Sequence, residues 1–391
     1  MIRHQAATDL FLRALDKADY GSMSLTVSNG KTYQFKGRKP GPNAHLQLND
    51  SGVLARMLVK GDVAFADDYR NERWDSNDIC ALIDYGLRNK NTIEGFIDGN
   101  PWNRYKAFLA YLLAPNNRRH ARNNVEAHYD LGNDFYALWL DETMTYTCAL
   151  FKKPEDSLAT AQCNKMDRIF ETLGTRPRKI LDIGCGWGGF IKRGCETYDH
   201  HITGITLSRQ QQQFAQHANA QNRNSHVLLQ DYRDCHGQYD AVVSIEMIEA
   251  VGEQYWQTYF NKVKALMNKN AQACIQAITV NDSYFPTYRK GTDAIRTYIF
   301  PGGMLISRQR LTEVAERAGL TVRNIFSFGD HYATTLKHWL GRFDSQHNAI
   351  LQMGYDRAFV RLWRYYLSSC AGSFQAGQTN VMQVNLHHAN S

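Results

Sequence analysis

The residues from Ile180 to Gly189 are the part of the sequence whose types and spacing point most directly to a ligand site. They read Ile-Leu-Asp-Ile-Gly-Cys-Gly-Trp-Gly-Gly, a Gly-x-Gly-x-x-Gly loop between an apolar strand and a helix that follows from Phe190. Glycine lets the backbone turn sharply and approach a ligand, and a helix N-terminus favours a negative group. Because nicotinamide-cofactor domains bind a pyrophosphate with the same loop, the loop alone leaves the cofactor open.

Three features argue against a dinucleotide. The loop lies in the middle of the chain, behind a stretch of different pattern. Asp182 places a carboxylate directly before the loop, where a positively charged ligand is favoured, and the next strand ends in Thr206 without the acid that would bind a ribose. The run Leu-Asp-Ile-Gly-Cys-Gly-x-Gly resembles the first motif of the S-adenosylmethionine-dependent methyltransferases. That resemblance implies that Asp182, Gly184 and Gly186 surround the methionine portion and ribose of this cofactor.

The residues after the next strand narrow the resemblance to one family. The run from Thr206 to Gln211 is similar to the Thr-Leu-Ser-x-x-Gln of the cyclopropane fatty acid synthases and mycolic acid cyclopropane synthases. In that family the Thr and Gln contact the cofactor, so the resemblance implies cofactor-binding roles for Thr206, Leu207 and Gln211. The same run also fits a strand end followed by a helix that Ser208 caps, and the two interpretations are compatible.

Further stretches match motifs of this family in the same order along the chain. They are Ala127–Tyr136, Thr145–Ala149 with Thr147 in place of Ser, Gln230–Asp234, Glu249–Gly252 with Ala250 in place of His, Tyr298–Gly303 and Tyr332–Trp339. The resemblance covers at least 124 to 387, and the preceding part looks like the N-terminal domain of the longer bacterial members. It implies that the cofactor site also includes Tyr146, Thr147, Asp231 and Tyr232.

Methylation of a carbon–carbon double bond is the chemistry that this family implies. An isolated alkene is a weak nucleophile, so it must be held in line with the methyl group and away from water, which would quench the resulting carbocation. A base must then remove a proton. In the family a bound bicarbonate ion is that base. The resemblance implies a bicarbonate site with these catalytic residues: Cys148, Glu249, Gln276, Ile278 and Tyr332.

Gln276 is a departure from the family, which has His at this position. Gln can donate a hydrogen bond to bicarbonate but cannot carry a positive charge, so we expect an altered base site. The product stays open: ring closure gives a cyclopropane, whereas loss of a different proton gives a methylene branch that a separate reductase could convert to a methyl branch. Taken singly, Cys148, Glu249 and Tyr332 also fit structural roles.

Strands alternate with helices from about residue 178, which predicts βαβ units and a parallel sheet. Together with the resemblance, this predicts an α/β fold: a seven-stranded class I methyltransferase Rossmann-like sheet, preceded by a small α+β N-terminal domain. The Asn29-Gly30 pair predicts a β-hairpin in that first domain. We place the domains at 1–115 and 116–391, with a polar, basic linker at Pro115–Arg122. We expect the first to associate with lipid or membrane and the second to hold an acyl-chain pocket.

The overall composition limits which partners and which cellular location are plausible for the protein. A formal net charge of +7 suits anionic lipid headgroups, and equally a merely solubilising surface. No apolar run approaches the roughly 20 residues of a membrane span, the N-terminus has no signal-peptide pattern, and eight cysteines without Cys-x-x-Cys spacing argue against zinc. We therefore expect a cytoplasmic enzyme, peripheral to the inner face of the membrane, that acts on unsaturated phospholipid acyl chains without a metal or nucleic acid. A homodimer stays open.

Two other functions remain at this point. A methyltransferase that acts on a heteroatom of a small molecule would need a general base near the cofactor and no bicarbonate. A catalytically silent lipid-binding protein would have no need of an intact cofactor loop. Labelled cofactor, offered with phospholipid vesicles or with small acceptors, separates these functions from methylation of acyl chains.

Overall fold

The computed structural model describes residues 2–102, 131–174, 176 and 178–389 of the 391-residue chain. The chain divides into two units. The first combines Met1–Leu113, Pro286–Pro301 and Leu336–Thr379, and the second combines Ala114–Phe285, Gly302–Thr335 and Asn380–Ser391. The sequence predicted two continuous domains, 1–115 and 116–391, whereas the structure adds two later segments to the first unit. The predicted linker and the first four residues of the 127–136 motif lie outside the described residues.

The strands are numbered in chain order. They are β1 (Tyr20–Thr26), β2 (Thr32–Lys36), β3 (Lys39–Leu48), β4 (Trp74–Asp75), β5 (Lys179–Ile183), β6 (His201–Thr206), β7 (Ser225–Leu229), β8 (Tyr239–Ile245), β9 (Met267–Val280), β10 (Ile306–Ser307), β11 (Leu320–Ser327) and β12 (Thr379–His388). The described α-helices are Ile2–Leu15, Val53–Lys60, Asp62–Arg70, Ile79–Arg88, Lys90–Asp98, Asn133–Ala137, Leu158–Leu173, Gly189–Tyr198, Arg209–Ala218, Trp256–Leu266, Phe285–Tyr288, Ala294–Tyr298, Arg308–Arg317, Gly329–Ser345, His347–Gln352 and Arg357–Gln375.

The first unit contains a four-stranded sheet in the order β2-β1-β3-β4. The antiparallel pairing of β1 with β2 confirms the predicted hairpin. In its turn Gly30 has a φ of 85°, whereas Asn29 is not at positive φ, so the turn is not a two-residue primed turn. On its other side β1 pairs with β3 in parallel. Leu25, Leu46 and Trp74 bring one apolar face of this sheet into a buried core.

The helix Arg357–Gln375 belongs to the first unit because its side chains bind the backbone there. Arg361 Nε donates to the Tyr69 carbonyl at 2.7 Å, and Arg361 Nη2 donates to the Trp74 carbonyl at 3.1 Å. The Trp74 indole stacks on Phe65 with ring centroids 4.0 Å apart. Arg361 and Tyr69 are 292 positions apart in sequence, so no local pattern could have predicted this grouping.

The second unit contains an eight-stranded sheet. Seven strands run in the order β11-β12-β9-β8-β5-β6-β7, and the two-residue β10 pairs with β9 in parallel. The pairs β5–β6, β6–β7, β5–β8 and β8–β9 are parallel, and β11–β12 is antiparallel. The run of seven is the predicted Rossmann-like sheet, and β10 is an additional strand. No helix among the described residues is long and apolar enough to cross a membrane.

Two polar side chains of the last strand, β12, are buried and not exposed to solvent. Polar and apolar residues alternate along β12, a pattern typical of a strand with one exposed face, yet Gln383 and Asn385 are 0% and 3% exposed. Gln383 Oε1 accepts a hydrogen bond from Arg168 at 2.7 Å, and its Nε2 donates to Gln276 at 3.0 Å. The polar face therefore lies inside the unit, where hydrogen bonds offset the cost of burying the amide.

Candidate active site

The glycine loop lies at the carboxyl end of β5 and leads into the helix Gly189–Tyr198. Gly184, Gly186 and Gly188 have φ of 85°, 53° and 86°, in the region that favours glycine. The backbone N–H of Gly184 donates to the Ile205 carbonyl at 2.9 Å, which places the loop beside the end of β6. A Cβ on Gly186 would meet no atom within 4 Å, so open space adjoins this residue on the side where a ligand can approach.

Asp182 supplies an unpaired carboxylate next to this loop. It is 2% exposed, and its Oδ1 has no hydrogen-bond partner among the described residues. Burial raises the pKa of Asp182 to about 7, and the charge of Lys165 opposes the rise. Because a buried carboxylate without a partner is costly, this atom fits a ligand that donates hydrogen bonds or carries positive charge.

Thr206 and Gln211 contact each other at the end of β6. Thr206 Oγ1 donates to Gln211 Oε1 at 2.8 Å, and both side chains are buried. The Ser208 hydroxyl caps the helix Arg209–Ala218 by accepting from the Gln211 N–H, as the sequence allowed. Leu207, between Thr206 and Ser208 in the chain, is partly exposed. The cap therefore coexists with a buried Thr–Gln pair beside the glycine loop.

Asp231 and Tyr232 follow β7 at the same edge of the sheet. The Gln230 N–H donates to the Thr206 carbonyl at 3.0 Å, which joins this segment to the end of β6. Asp231 accepts two hydrogen bonds from the Arg233 guanidinium, at 2.8 and 2.6 Å, and the Tyr232 ring lies in the core. The structure thus brings the predicted residues of β5, β6 and β7 to one edge, as expected for parallel strands.

Thr147 contacts a buried lysine that was not among the predicted site residues. Lys165, on the helix Leu158–Leu173, is 0% exposed, and its Nζ donates to Thr147 Oγ1 at 2.6 Å. Burial lowers the pKa of Lys165, and the charge of Glu246 opposes the change. The neighbouring Tyr146 ring packs edge-on against Trp139 at 5.2 Å. A lysine on the apolar face of an amphipathic helix was the available signal.

Glu246 is the centre of the predicted base site, although the sequence analysis did not single it out. Its Oε1 accepts hydrogen bonds from the Cys148 N–H at 2.9 Å and from Gln276 Nε2 at 2.7 Å. Its Oε2 accepts from the Tyr332 hydroxyl at 2.6 Å. Three of the five predicted catalytic residues therefore converge on one carboxylate. The available signal was its place directly after the strand β8, where ligands of open α/β sheets bind.

The other two predicted catalytic residues contact each other. Glu249 Oε1 accepts from the Ile278 N–H at 2.5 Å, and Glu249 Oε2 is inaccessible to water without a hydrogen-bond partner among the described residues. Burial raises the pKa of Glu249 to about 8, and the nearby charge of Glu246 adds to the rise. The raised pKa therefore favours the protonated form of Glu249 at neutral pH.

These features define a class of protein. A mainly parallel sheet has a glycine loop after β5, an unpaired buried carboxylate beside it, and a buried polar cluster centred on Glu246. This is the arrangement of a Rossmann-like methyltransferase that uses S-adenosylmethionine. The family model of mycolic acid cyclopropane synthetase matches residues 116–384. The chain belongs to this family.

Two relatives agree with this assignment over most of the chain. It is 38% identical to the tuberculostearic acid methyltransferase UfaA1 of Mycobacterium tuberculosis, over 87% of this chain and 82% of the relative. It is 31% identical to the cyclopropane-fatty-acyl-phospholipid synthase of Escherichia coli, over 87% of each chain. Both matches are longer than the 269 residues of the family-model match, 116–384, so they extend beyond it.

Solved structures give the same fold. The mycolic acid cyclopropane synthase CmaA1, complexed with SAH and CTAB, superimposes with a TM-score of 0.63 at 31% identity and covers 68% of this chain and 97% of its own. Coclaurine N-methyltransferase has a TM-score of 0.66 at 16% identity, which shows the fold alone. The protein is a methyltransferase that uses S-adenosylmethionine, within a family that modifies lipid chains.

Proposed function

We propose that the protein transfers the methyl group of S-adenosylmethionine to a cis double bond in an unsaturated phospholipid acyl chain, giving a cyclopropane. The observation that carries this proposal is the convergence of Cys148, Gln276 and Tyr332 on one carboxylate. A hydrogen-bonded carboxylate is suited to accept the proton that methylation of an alkene must release. Relatives named for phospholipid and fatty acid substrates support the same substrate class.

The residues at the sheet edge fit S-adenosylmethionine. When bound, this molecule supplies a methyl group on a positively charged sulfur. Gly186 leaves room beside the loop, and the unpaired Asp182 Oδ1 offers an acceptor to a hydroxyl or a cation. We assign binding to these residues: Tyr146, Thr147, Asp182, Gly184, Gly186, Thr206, Leu207, Gln211, Asp231 and Tyr232.

The product depends on how the carbocation loses its proton. Proton loss with ring closure gives the cyclopropane, and proton loss after a hydride shift gives a methylene branch. Bicarbonate was the base that the family resemblance implied. The donors that would bind it are engaged by the carboxylate of Glu246, so an ion could use them only if that side chain moved or were absent.

We propose a cytoplasmic protein that lies at the membrane surface, and the net charge of +7 supports its attraction to anionic lipid. We expect co-sedimentation with vesicles of dioleoylphosphatidylglycerol that weakens as salt rises from about 0.05 to 0.5 M, because exposed charges are then screened. Vesicles of dioleoylphosphatidylcholine are the neutral control. Equal binding to both at every salt concentration would refute the electrostatic attraction.

Turnover on defined vesicles tests the proposed function. The purified protein, with methyl-labelled S-adenosylmethionine, should label dioleoylphosphatidylglycerol but not dipalmitoylphosphatidylglycerol, which has no double bond. Mass spectrometry of the released acyl chains should show a gain of one CH₂, and fragmentation distinguishes a ring from a branch. Label on the saturated lipid would refute methylation of a double bond, and label only on small amine and hydroxyl acceptors would support the small-molecule alternative.

A further inference from the structure

We propose that the carboxylate of Glu246 is the built-in base of this enzyme and takes the proton that a bicarbonate ion was expected to take. The inference rests on the proposed function. Glu246 receives hydrogen bonds from Cys148 N–H, Gln276 Nε2 and Tyr332 OH, three of the groups assigned to bicarbonate by resemblance. A carboxylate and a bicarbonate ion present the same planar, negatively charged O–C–O group. The side chain therefore satisfies these donors from within the chain.

The hydrogen bonds leave one position for a proton. Each carboxylate oxygen has two acceptor sites, and Oε1 uses both for Cys148 and Gln276. Oε2 accepts one hydrogen bond among the described residues, from Tyr332. Cys148 and Gln276 are 0% exposed, whereas Glu246 is partly exposed. The donors thus hold the carboxylate from the protein side, and Oε2 is the atom that can receive the proton.

The geometry favours an ionised but weakly nucleophilic carboxylate, because three neighbouring groups donate hydrogen bonds to it. Burial raises the pKa of Glu246, while the hydrogen bonds from Tyr332 and Cys148 and the charge of Lys165 oppose the rise. Glu249, whose pKa is about 8, keeps its own proton at neutral pH. A carbocation is a strong acid, so a weak base suffices. Hydrogen bonds that hold the negative charge also reduce attack of the carboxylate on the sulfonium methyl group.

The proposed step balances in atoms and charge. The alkene electron pair forms a carbon–carbon bond to the methyl carbon as the sulfur–carbon bond breaks, which releases S-adenosylhomocysteine and leaves a cation on the neighbouring carbon. Glu246 Oε2 takes a proton from the added methyl group, and the electrons of that C–H bond close the ring. After a hydride shift, the same transfer gives the methylene branch. The neutral Glu246 then returns its proton to water.

The backbone at Glu246 gives a second, independent observation. Its φ is 52°, a left-handed conformation that is strained for a residue other than glycine. Strained residues of this kind concentrate at functional sites. Glycine adopts this φ without strain, so Glu246→Gly removes the side chain at no cost in backbone energy. It also leaves space beside the same three donors.

Three variants test the proposal. In CO₂-free buffer, with dioleoylphosphatidylglycerol vesicles, we expect wild type to turn over at the same rate with and without added bicarbonate. Glu246→Gln and Glu246→Gly should each lose about a hundredfold or more. Bicarbonate or formate should restore Glu246→Gly but not Glu246→Gln, whose amide fills the space. The exposed Glu313→Gln is the matched control and should behave as wild type. Calorimetry should show S-adenosylmethionine affinity within about threefold for all variants, given how little these changes touch its site.

Binding of ¹³C-bicarbonate, followed by NMR, gives a readout that does not need lipid. Glu246→Gly should bind the ion and wild type should not. The proposal is overturned if wild type binds bicarbonate and needs it for turnover, or if Glu246→Gln methylates lipid at the wild-type rate. If wild type binds S-adenosylmethionine but methylates no lipid, the proposed function fails, and the base role falls with it.

Discussion

Gln276 and Glu246 are joined by two hydrogen bonds. Gln276 Nε2 donates to Glu246 Oε1 at 2.7 Å, and the Glu246 backbone N–H donates to the Gln276 carbonyl at 2.8 Å. Gln383 Nε2 donates to Gln276 Oε1 at 3.0 Å, which orients the amide so that its NH₂ group points to the carboxylate. Gln276, which replaces the family's histidine, is therefore hydrogen-bonded to a carboxylate that belongs to the protein itself.

The first prediction concerns this pair. In Glu246→Gly/Gln276→His we expect bicarbonate to support turnover at a concentration about tenfold lower than in Glu246→Gly alone, because a charged imidazolium strengthens its hydrogen bond to the ion. Gln276→His alone should show no dependence on bicarbonate, since Glu246 still occupies the donors. Half-saturating bicarbonate is the quantity to measure. A higher requirement in the double variant would contradict the pairing.

The second prediction concerns Gly186. Gly186→Val should weaken binding of S-adenosylmethionine about tenfold to a hundredfold, because the side chain enters the space beside the loop and overpacking costs roughly 1–3 kcal/mol. Gly237→Val is a matched control: Gly237 is also at positive φ with no atom near its Cβ position, but lies on an exposed turn. Calorimetry measures both. Equal affinities in the two variants would show that the loop does not hold the cofactor.

The third prediction follows from the pKa of Glu249, raised from 4.5 to about 8. The folded state holds this proton more tightly than the unfolded state, so its contribution to stability is complete below about pH 4.5 and is lost as pH rises through about 8. Glu249→Gln keeps an acceptor for the Ile278 N–H but cannot titrate. Between about pH 5 and pH 8, its free energy of unfolding should fall less than that of wild type.

Chemical denaturation across this pH range makes the comparison. Glu313→Gln is the control, because Glu313 is exposed and its pKa is lowered, so it does not titrate in this window. Parallel pH profiles for wild type and Glu249→Gln would show that Glu249 is ionised in the folded protein at neutral pH.

The fourth prediction concerns the first unit. Asp68 is 1% exposed and accepts hydrogen bonds of 2.9 Å from both Arg56 and Arg73. Asp68→Ala should lower the free energy of unfolding by about 2 kcal/mol, because it leaves two half-exposed guanidinium groups without their shared carboxylate. Asp67→Ala, at a neighbouring residue with weaker ion pairs, should cost about 0.5 kcal/mol or less. Equal losses of unfolding free energy in the two variants would mean that the burial of Asp68 does not strengthen its ion pairs.

Local patterns predicted much of the catalytic unit. The glycine loop after β5, the end of β6 at Thr206 and the Ser208 cap all follow from neighbouring residues, because turns, strands and caps depend on short-range conformational preferences. The family motifs placed Cys148, Glu249 and Tyr332 in the chain. Their roles remain predictions until the variants are measured.

The base site was decided by tertiary structure. Cys148, Gln276 and Tyr332 come from distant segments, and only folding brings their donors within 3 Å of one carboxylate. The position of Glu246 directly after β8 was a local signal, but only the folded structure shows which donors surround its carboxylate. Likewise, the Arg361 bonds to Tyr69 and Trp74 assign a late helix to the first unit. The sequence by itself determined the class of fold and the cofactor loop, since these depend on local backbone preferences, whereas the hydrogen-bond partners of buried charges depend on long-range packing.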